Sequence, residues 1–339
     1  MELVRKLARK VWLASIIYLS CLLLIFSIVV LYLNDPQLFQ SASKNWKPKE
    51  VTKEMEAGFL PQQVQYGYAL VTKTYQYIGP DVANSAMRFA GNHLACTQCH
   101  LEGGSKTGAS SWVGVTKRFP QFRGRSNAEG TIEDRINGCM ERSMNGKKLP
   151  KDSRAMKAIV AYMNWLSEGM PKNKINDFKG FVSLQIPDRS VNIANGKKQF
   201  ENRCAECHGM NGAGEKLEHA NGYKYPPLWG NDTFNDGAGM HRVITAAQFI
   251  KANMPYEEAS KKHPVLSDEE AFDVAGYINS LQRPAKSHKE NDFPDRKLKP
   301  VSTPYGPWAD DFSQQQHQFG PFPPIIKYYK ETYHITKKK

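Results

Sequence analysis

At 339 residues, with 40% hydrophobic and 23% charged side chains, the chain has the length of two or three domains and a globular composition, which excludes a disordered or fibrous protein. Its lysines and arginines outnumber its acidic residues 46 to 33, a formal charge of +13. No basic run with interleaved aromatics and no nucleic-acid fold motif accompanies that charge, so small anions or an acidic protein surface fit it better than nucleic acid.

The first predicted element is Val11 to Leu33, an uncharged run of 23 residues. As a helix it would be about 34 Å long, enough for a bilayer core. Arg5, Lys6, Arg9 and Lys10 precede it, which places residues 1–10 in the cytoplasm and the body of the chain on the periplasmic side of the inner membrane. A cleaved signal peptide, processed near Ser41-Ala42-Ser43, is the alternative; its apolar region is typically about 7–15 residues, so the length favours an anchor. Residues 34–57 read as a polar linker. Leu60 to Ile78 has helical periodicity, with Val64, Tyr68, Leu70, Val71 and Tyr75 on its apolar side, and Gly79-Pro80 stops it.

Next comes Cys96-Thr97-Gln98-Cys99-His100, and later Cys204-Ala205-Glu206-Cys207-His208. This is the C-x-x-C-H signature in which two thiols bond to haem vinyl groups and the histidine takes an axial iron position, so two covalent haems c are expected. Four of the six cysteines are thereby used and Cys21 lies in the apolar run. Cys139 has no disulfide partner.

The two motifs belong to a repeat. Met156, Ile159, Val160, Met163 and Leu166 in the predicted helix Asp152 to Ser167 recur as Ala271, Val274, Ala275, Ile278 and Leu281, all offset by 115. Ser267 and Glu270 form a capping box for the second helix, and Asp152 or Ser153 can cap the first. Another short helix, Val191 to Asn202, precedes the second motif. Between motif and closing helix, Phe119-Pro120-Gln121-Phe122-Arg123-Gly124 pairs with Tyr225-Pro226-Pro227-Leu228-Trp229-Gly230, loops whose prolyl carbonyls could orient the axial histidines. Each half resembles the small all-α class I cytochrome c fold, where a methionine before the last helix is the usual sixth iron ligand. Met254 meets that description, with Met240 and His241 as rivals. The 115-residue offset carries Met254 onto Cys139, with Met140, Met144, His93 and Met170 as rivals.

A cysteine at that position can bind iron or bond to a substrate sulfur. If Thr131 to Met144 is helical, Arg135, Cys139 and Ser143 share one side, and Arg125 lies 14 residues before the cysteine. Guanidinium forks suit sulfonate oxygens as they suit carboxylates. Arg118 and Arg123 are assigned to haem propionates. Past Arg283, residues 284–339 are rich in proline and aromatics and read as an extended arm across both domains, with Lys337 to Lys339 free in solvent.

The segments Cys99-His100-Leu101, Arg123 to Ser126, Thr131-Ile132-Glu133 and Arg135 to Gly146, with Pro304 to Pro307 and Gln316 to Phe322, resemble the dihaem thiosulfate dehydrogenases, a family that includes tetrathionate reductases. The resemblance spans about residues 58–326. It implies a periplasmic oxidoreductase interconverting thiosulfate and tetrathionate, with His100 and Cys139 on the active-site iron, His208 and Met254 on the electron-transfer iron, and a c-type cytochrome or membrane carrier as partner. The family's substrate-binding arginines and serine fall on Arg125, Arg135 and Ser143. Some relatives carry a lysine before the methionine; Asn253 stands there here, with Lys251 two places back. The expected organisation is all-α: an anchor at 11–33, cytochrome c domains at 58–175 and 176–283, and the arm at 284–339. A carrier without its own substrate and a cytochrome subunit of a multi-component sulfur-oxidising system are the competing functions.

Overall fold

Residues 1–34, 46–58 and 60–337 are described by the structure, a computed structural model. Residues 35–45 of the expected linker, with Ser41-Ala42-Ser43 among them, and Lys338 and Lys339 lie outside these residues. The chain divides into two units, one of residues 1–47 with 169–171 and one of 48–168 with 172–339.

In the first unit, helix α1 spans Glu2–Asn34, so the basic N-terminal segment continues the apolar run as one helix. Its stretch Val4–Asn34 reaches a mean hydropathy of 2.8, long and apolar enough to cross a membrane. Ser15, Ser20 and Ser27 turn their hydroxyls onto the carbonyls of Val11, Ile16 and Leu23 at 2.8–3.0 Å, which satisfies them without water.

The second unit is mostly helical and twofold repeated. Helix α2 (Val51–Glu56) buries Val51 in a stretch expected to be linker. Then come α3 (Gln62–Thr72), α4 (Thr74–Tyr77), α5 (Ile132–Met140) and α6 (Arg154–Trp165), with Ser153 capping α6. The second half holds α7 (Ile193–Arg203), α8 (Ala205–His208), α9 (Val243–Asn253) and α10 (Asp268–Ser280), whose capping box forms between Ser267 and Glu270. Two antiparallel ribbons are added: β1 (Gln121–Arg123) with β2 (Ala128–Gly130), and β3 (Glu215–Lys216) with β4 (Tyr223–Tyr225).

The repeat is visible at atomic scale where the helices cross. A Cβ on Gly67 of α3 would lie 2.1 Å from the Ala158 carbonyl oxygen of α6, and one on Gly196 of α7 would lie 2.1 Å from the Asp273 carbonyl oxygen of α10. Residues 158 and 273 differ by the same 115 positions that relate the closing helices. Glycine at each crossing lets two backbones touch, which fixes both the angle and the depth of the packing. The second-half core is built on Phe200, Val243, Ile244, Ala247, Phe272 and Ala275.

The C-terminal stretch departs from an extended arm from Gln314 onward. Gln314–Phe319 forms α11 and Pro323–Tyr333 forms α12, whose Ile325 and Tyr329 join the second-half core with Phe322. Pro323 at the start of α12 is a helix initiator, because its missing N–H would have had no partner there. Lys337 is not free in solvent: its Nζ donates to the carbonyls of Lys297 and Lys299 and sits 4.3 Å from the Tyr329 ring centre. Backbone bonds tie the arm to both halves, Phe293 N–H to Arg125 O and Val191 N–H to Phe319 O, each at 2.8 Å.

Candidate functional site

Each C-x-x-C-H motif opens onto a deep cavity. The first, about 1340 Å³ including its mouth, is lined by Cys96, Cys99 and His100, by Arg118 and Gln121, and by Arg135, Cys139, Met140, Ser143 and Met144 from α5 and the turn after it. Thr131 starts α5 by accepting from the Asp134 N–H while Asp134 answers to the Thr131 N–H. Cys139 is thus held one turn beyond Arg135 on a rigid helix, and Ser143 follows in the turn past the helix end. The second cavity, about 1410 Å³, is lined by Cys204, Cys207 and His208 together with Met240, Ile250 and Met254.

The histidines are oriented for iron. His208 bonds through Nδ1 to the Pro226 carbonyl at 2.8 Å, the prolyl contact expected from sequence. His100 makes the equivalent contact, also 2.8 Å, but to the Ser110 carbonyl and not to Pro120. The first half reaches its acceptor in 10 residues and the second in 18, so the two proline loops do not occupy the same station. Either contact fixes the ring and leaves Nε2 for a metal. The donor set, two thiols and an imidazole with a further sulfur in one apolar cavity, fits a covalent haem in both halves.

Cys139 and His100 both line the first cavity. Burial would raise its thiol, but the Arg135 guanidinium, His100 and Arg123 outweigh that and bring it down to about 6. Arg135 Nη1 donates to the Cys139 sulfur at 3.3 Å. Arg125, by contrast, directs Nη1 to Asp292 and to the Tyr305 hydroxyl, and stacks over Phe293. Arg142 bonds the same Asp292 carboxylate. The structure therefore brings Arg135, Cys139 and Ser143 together at one cavity and engages Arg125 with the arm. Arg118 lines the cavity with its guanidinium on the Ile175 carbonyl at 2.8 Å. Arg123, expected from sequence at a haem propionate, lies beside Gly138 of α5, its Nη2 3.1 Å from where a Cβ on that glycine would stand, and its charge helps to lower the Cys139 thiol. The available signal was the pair of glycines, Gly130 and Gly138, that border it.

Among the rival ligands, His93 has both ring nitrogens on carboxylates, Nδ1 on Asp232 and Nε2 on Asp81, at 2.9 and 2.8 Å. His241 places Nδ1 on the Asp236 carbonyl at 2.9 Å. Met140 and Met144 line the first cavity, and Met240 lines both. Asn253, before Met254, donates to the Gly108 and Phe249 carbonyls at 3.1 and 2.8 Å, while Lys251 is paired with Asp268. The two cavities share Leu94, Cys99, Phe234 and Met240 as a common wall.

Comparison with known proteins agrees with this geometry. Residues 87–172 match the SoxA/TsdA cytochrome c domain, and residues 193–282 match the cytochrome c domain. A thiosulfate dehydrogenase of Stutzerimonas stutzeri is 37% identical over 256 residues, covering 74% of this chain and 78% of that protein. The chain belongs to the thiosulfate dehydrogenase family. The thiosulfate dehydrogenase of Psychrobacter arcticus is 41% identical over 233 residues, covering 68% of this chain, and the match spans 66% of that relative's length. That of Allochromatium vinosum is 42% identical over 200 residues, with 58% and 72% of the two chains covered. Among solved structures, a thiosulfate dehydrogenase (TsdBA) of Marichromatium purpuratum superposes with a TM-score of 0.62 at 31% identity, over 74% of this chain and 52% of that one. Like other members of its family the protein is a c-type cytochrome oxidoreductase that binds haem c covalently in its cytochrome c domains.

Proposed function

We propose that this chain oxidises two thiosulfates to tetrathionate at Cys139, releasing two electrons through a second haem site to a c-type cytochrome or membrane carrier. The observation that carries this reading is Cys139 itself. A nucleophilic sulfur lines the same cavity as His100, with the Arg135 guanidinium on it at 3.3 Å and Ser143 in the same lining. A carrier that only passes electrons has no use for a cationic pocket around a thiolate. The second half supports the contrast, since Ala246, Ile250, Val274 and Ile278 surround the Met254 position.

In this reading His100 and Cys139 would hold one haem iron, and His208 and Met254 the other. Haem c, when bound, supplies an iron that takes up one electron at a time. Arg135 draws the thiosulfate dianion into the cavity and turns its outer sulfur toward Cys139, with Ser143 donating to an oxyanion oxygen. Arg125 adds positive potential from the wall it shares with Asp292. The Cys139 thiolate and the outer sulfur of thiosulfate then form an S–S bond, giving a cysteine S-thiosulfonate and two electrons. A second thiosulfate attacks that bridging sulfur, tetrathionate leaves, and the Cys139 thiolate is restored. The reverse sequence reduces tetrathionate. The shared wall supports a route for the electrons: Cys99, which would attach the first haem, also lines the second cavity, so haems held in the two cavities would be near neighbours. The apolar helix Val4–Asn34, preceded by basic residues, supports a periplasmic location for this chemistry.

Replacing Cys139 with Gly tests the reading. The variant should keep both haems, because all four thioether cysteines remain, yet lose thiosulfate-dependent ferricyanide reduction by at least about a hundredfold. Retained turnover would remove Cys139 from the chemistry.

A further inference from the structure

We infer that Arg123 is a second substrate-binding guanidinium, forming with Arg135 a clamp for the anionic oxygens of the sulfur substrate held at Cys139. The inference deepens the function proposed above and rests on it. Arg123 closes strand β1, in register with Ala128 of β2, and from there its side chain runs toward α5. Two glycines clear its path. A Cβ on Gly130 would lie 2.7 Å from the Arg123 Cδ, and one on Gly138, the residue before Cys139, would lie 3.1 Å from its Nη2. The ribbon and the helix are thus both cut back where this one side chain passes.

The guanidinium arrives without a counter-ion. Among the described residues no carboxylate lies within ion-pair distance of Arg123 or Arg135. Asp134, the acid next to Arg135 in sequence, is taken by Lys151 at 2.6 Å. Arg125 and Arg142 are the opposite case, since both close on Asp292. Arg135 on the Cys139 sulfur and Arg123 beside Gly138, with no carboxylate on either, leave a site whose charge is completed by a dianion, and thiosulfate and tetrathionate are dianions with oxygens for two forks. A haem propionate carries the same oxygens, and the test separates the two sources.

Full-length, haem-loaded protein is compared with Arg123→Gln and Arg123→Lys, oxidised and without an electron donor, so that tetrathionate binds but is not reduced. Calorimetric titration with tetrathionate should show about a ten- to hundredfold loss of affinity in Arg123→Gln, the worth of one charge-assisted contact, with substantial recovery in Arg123→Lys. Haem content and the midpoint potentials of both haems should match wild type. Unchanged tetrathionate affinity in Arg123→Gln overturns the inference. So does a shifted potential or lowered haem content with affinity intact, which would assign Arg123 to a propionate. If Arg123→Gln cannot be loaded with haem, Arg123→Lys decides: a several-fold loss of tetrathionate affinity with haem content and both potentials intact supports the clamp, because lysine keeps the charge but not the fork, and wild-type affinity contradicts it. Thiosulfate turnover of the wild type, measured in parallel, reports on the proposed function separately from Arg123.

Discussion

At the scale of single residues, the site depends on which cations are already spoken for. Arg125 and Arg142 share Asp292, so their charge is partly neutralised, while Arg135 is left to the Cys139 sulfur. Sequence shows all of these arginines and cannot show that division, because Arg123 and Arg125 stand two places apart at the edge of a ribbon whose turn decides where each points. Cys139 was legible for a different reason: its partner Met254 lies in a repeat with a fixed offset. His93 is a second residue whose role the structure changes, from possible iron ligand to an ionic clip between the halves, bonded to Asp81 and Asp232. Burial lowers its pKa, but the two carboxylates outweigh that and raise it above the ordinary 6.5. A group with a raised folded pKa stabilises fully below the unfolded value and loses that contribution as pH rises through the folded one. Thermal unfolding of His93→Gln should therefore fall well below wild type at about pH 5.5, and the gap should narrow by about pH 9. An equal gap at both would show that His93 acts without its charge.

At the scale of elements, both halves rest on one crossing of an early helix over the closing helix. Gly67 against Ala158 and Gly196 against Asp273 are backbone contacts that admit no Cβ. Gly67→Ala and Gly196→Ala should each cost about 2 kcal/mol or more, because a rigid carbonyl stands where the methyl would go and neither helix can yield alone. Denaturant midpoints of the holoprotein measure this; a loss within experimental error for either would mean the crossing is looser than its geometry. The closing helices α6 and α10 were legible from cap and periodicity, since both signals sit within one element. The acceptors of the axial histidines were not, because a backbone carbonyl has no residue signature: Pro226 was found through its proline, and Ser110 had nothing to mark it. Helix α12 was hidden by Pro323-Pro324, which reads as a breaker inside an element and as a start signal at its edge.

For the whole molecule, a 115-residue duplication has produced two cavities with one wall and different chemistry on their far sides. One half offers a thiolate among guanidiniums, the other a thioether among aliphatic side chains, and Leu94, Cys99, Phe234 and Met240 stand between them. The arm from Pro284 onward binds both halves, through Asp292 to the arginines of the first and through α12 to the core of the second. Domain number and haem count were readable because C-x-x-C-H motifs and helical periodicity are local patterns. The shared wall was not, since it depends on how the halves dock. That arrangement makes the electron count a direct test. One thiosulfate bonding to Cys139 releases two electrons, which matches the capacity of two haems in one chain. Fully oxidised protein should be given limiting thiosulfate without an acceptor, followed by haem absorbance, acid quenching and mass spectrometry of the peptide carrying Cys139. The account predicts two electrons in the haems for each Cys139 peptide heavier by one thiosulfate. Haems reduced by thiosulfate while the Cys139 peptide keeps its original mass would contradict it.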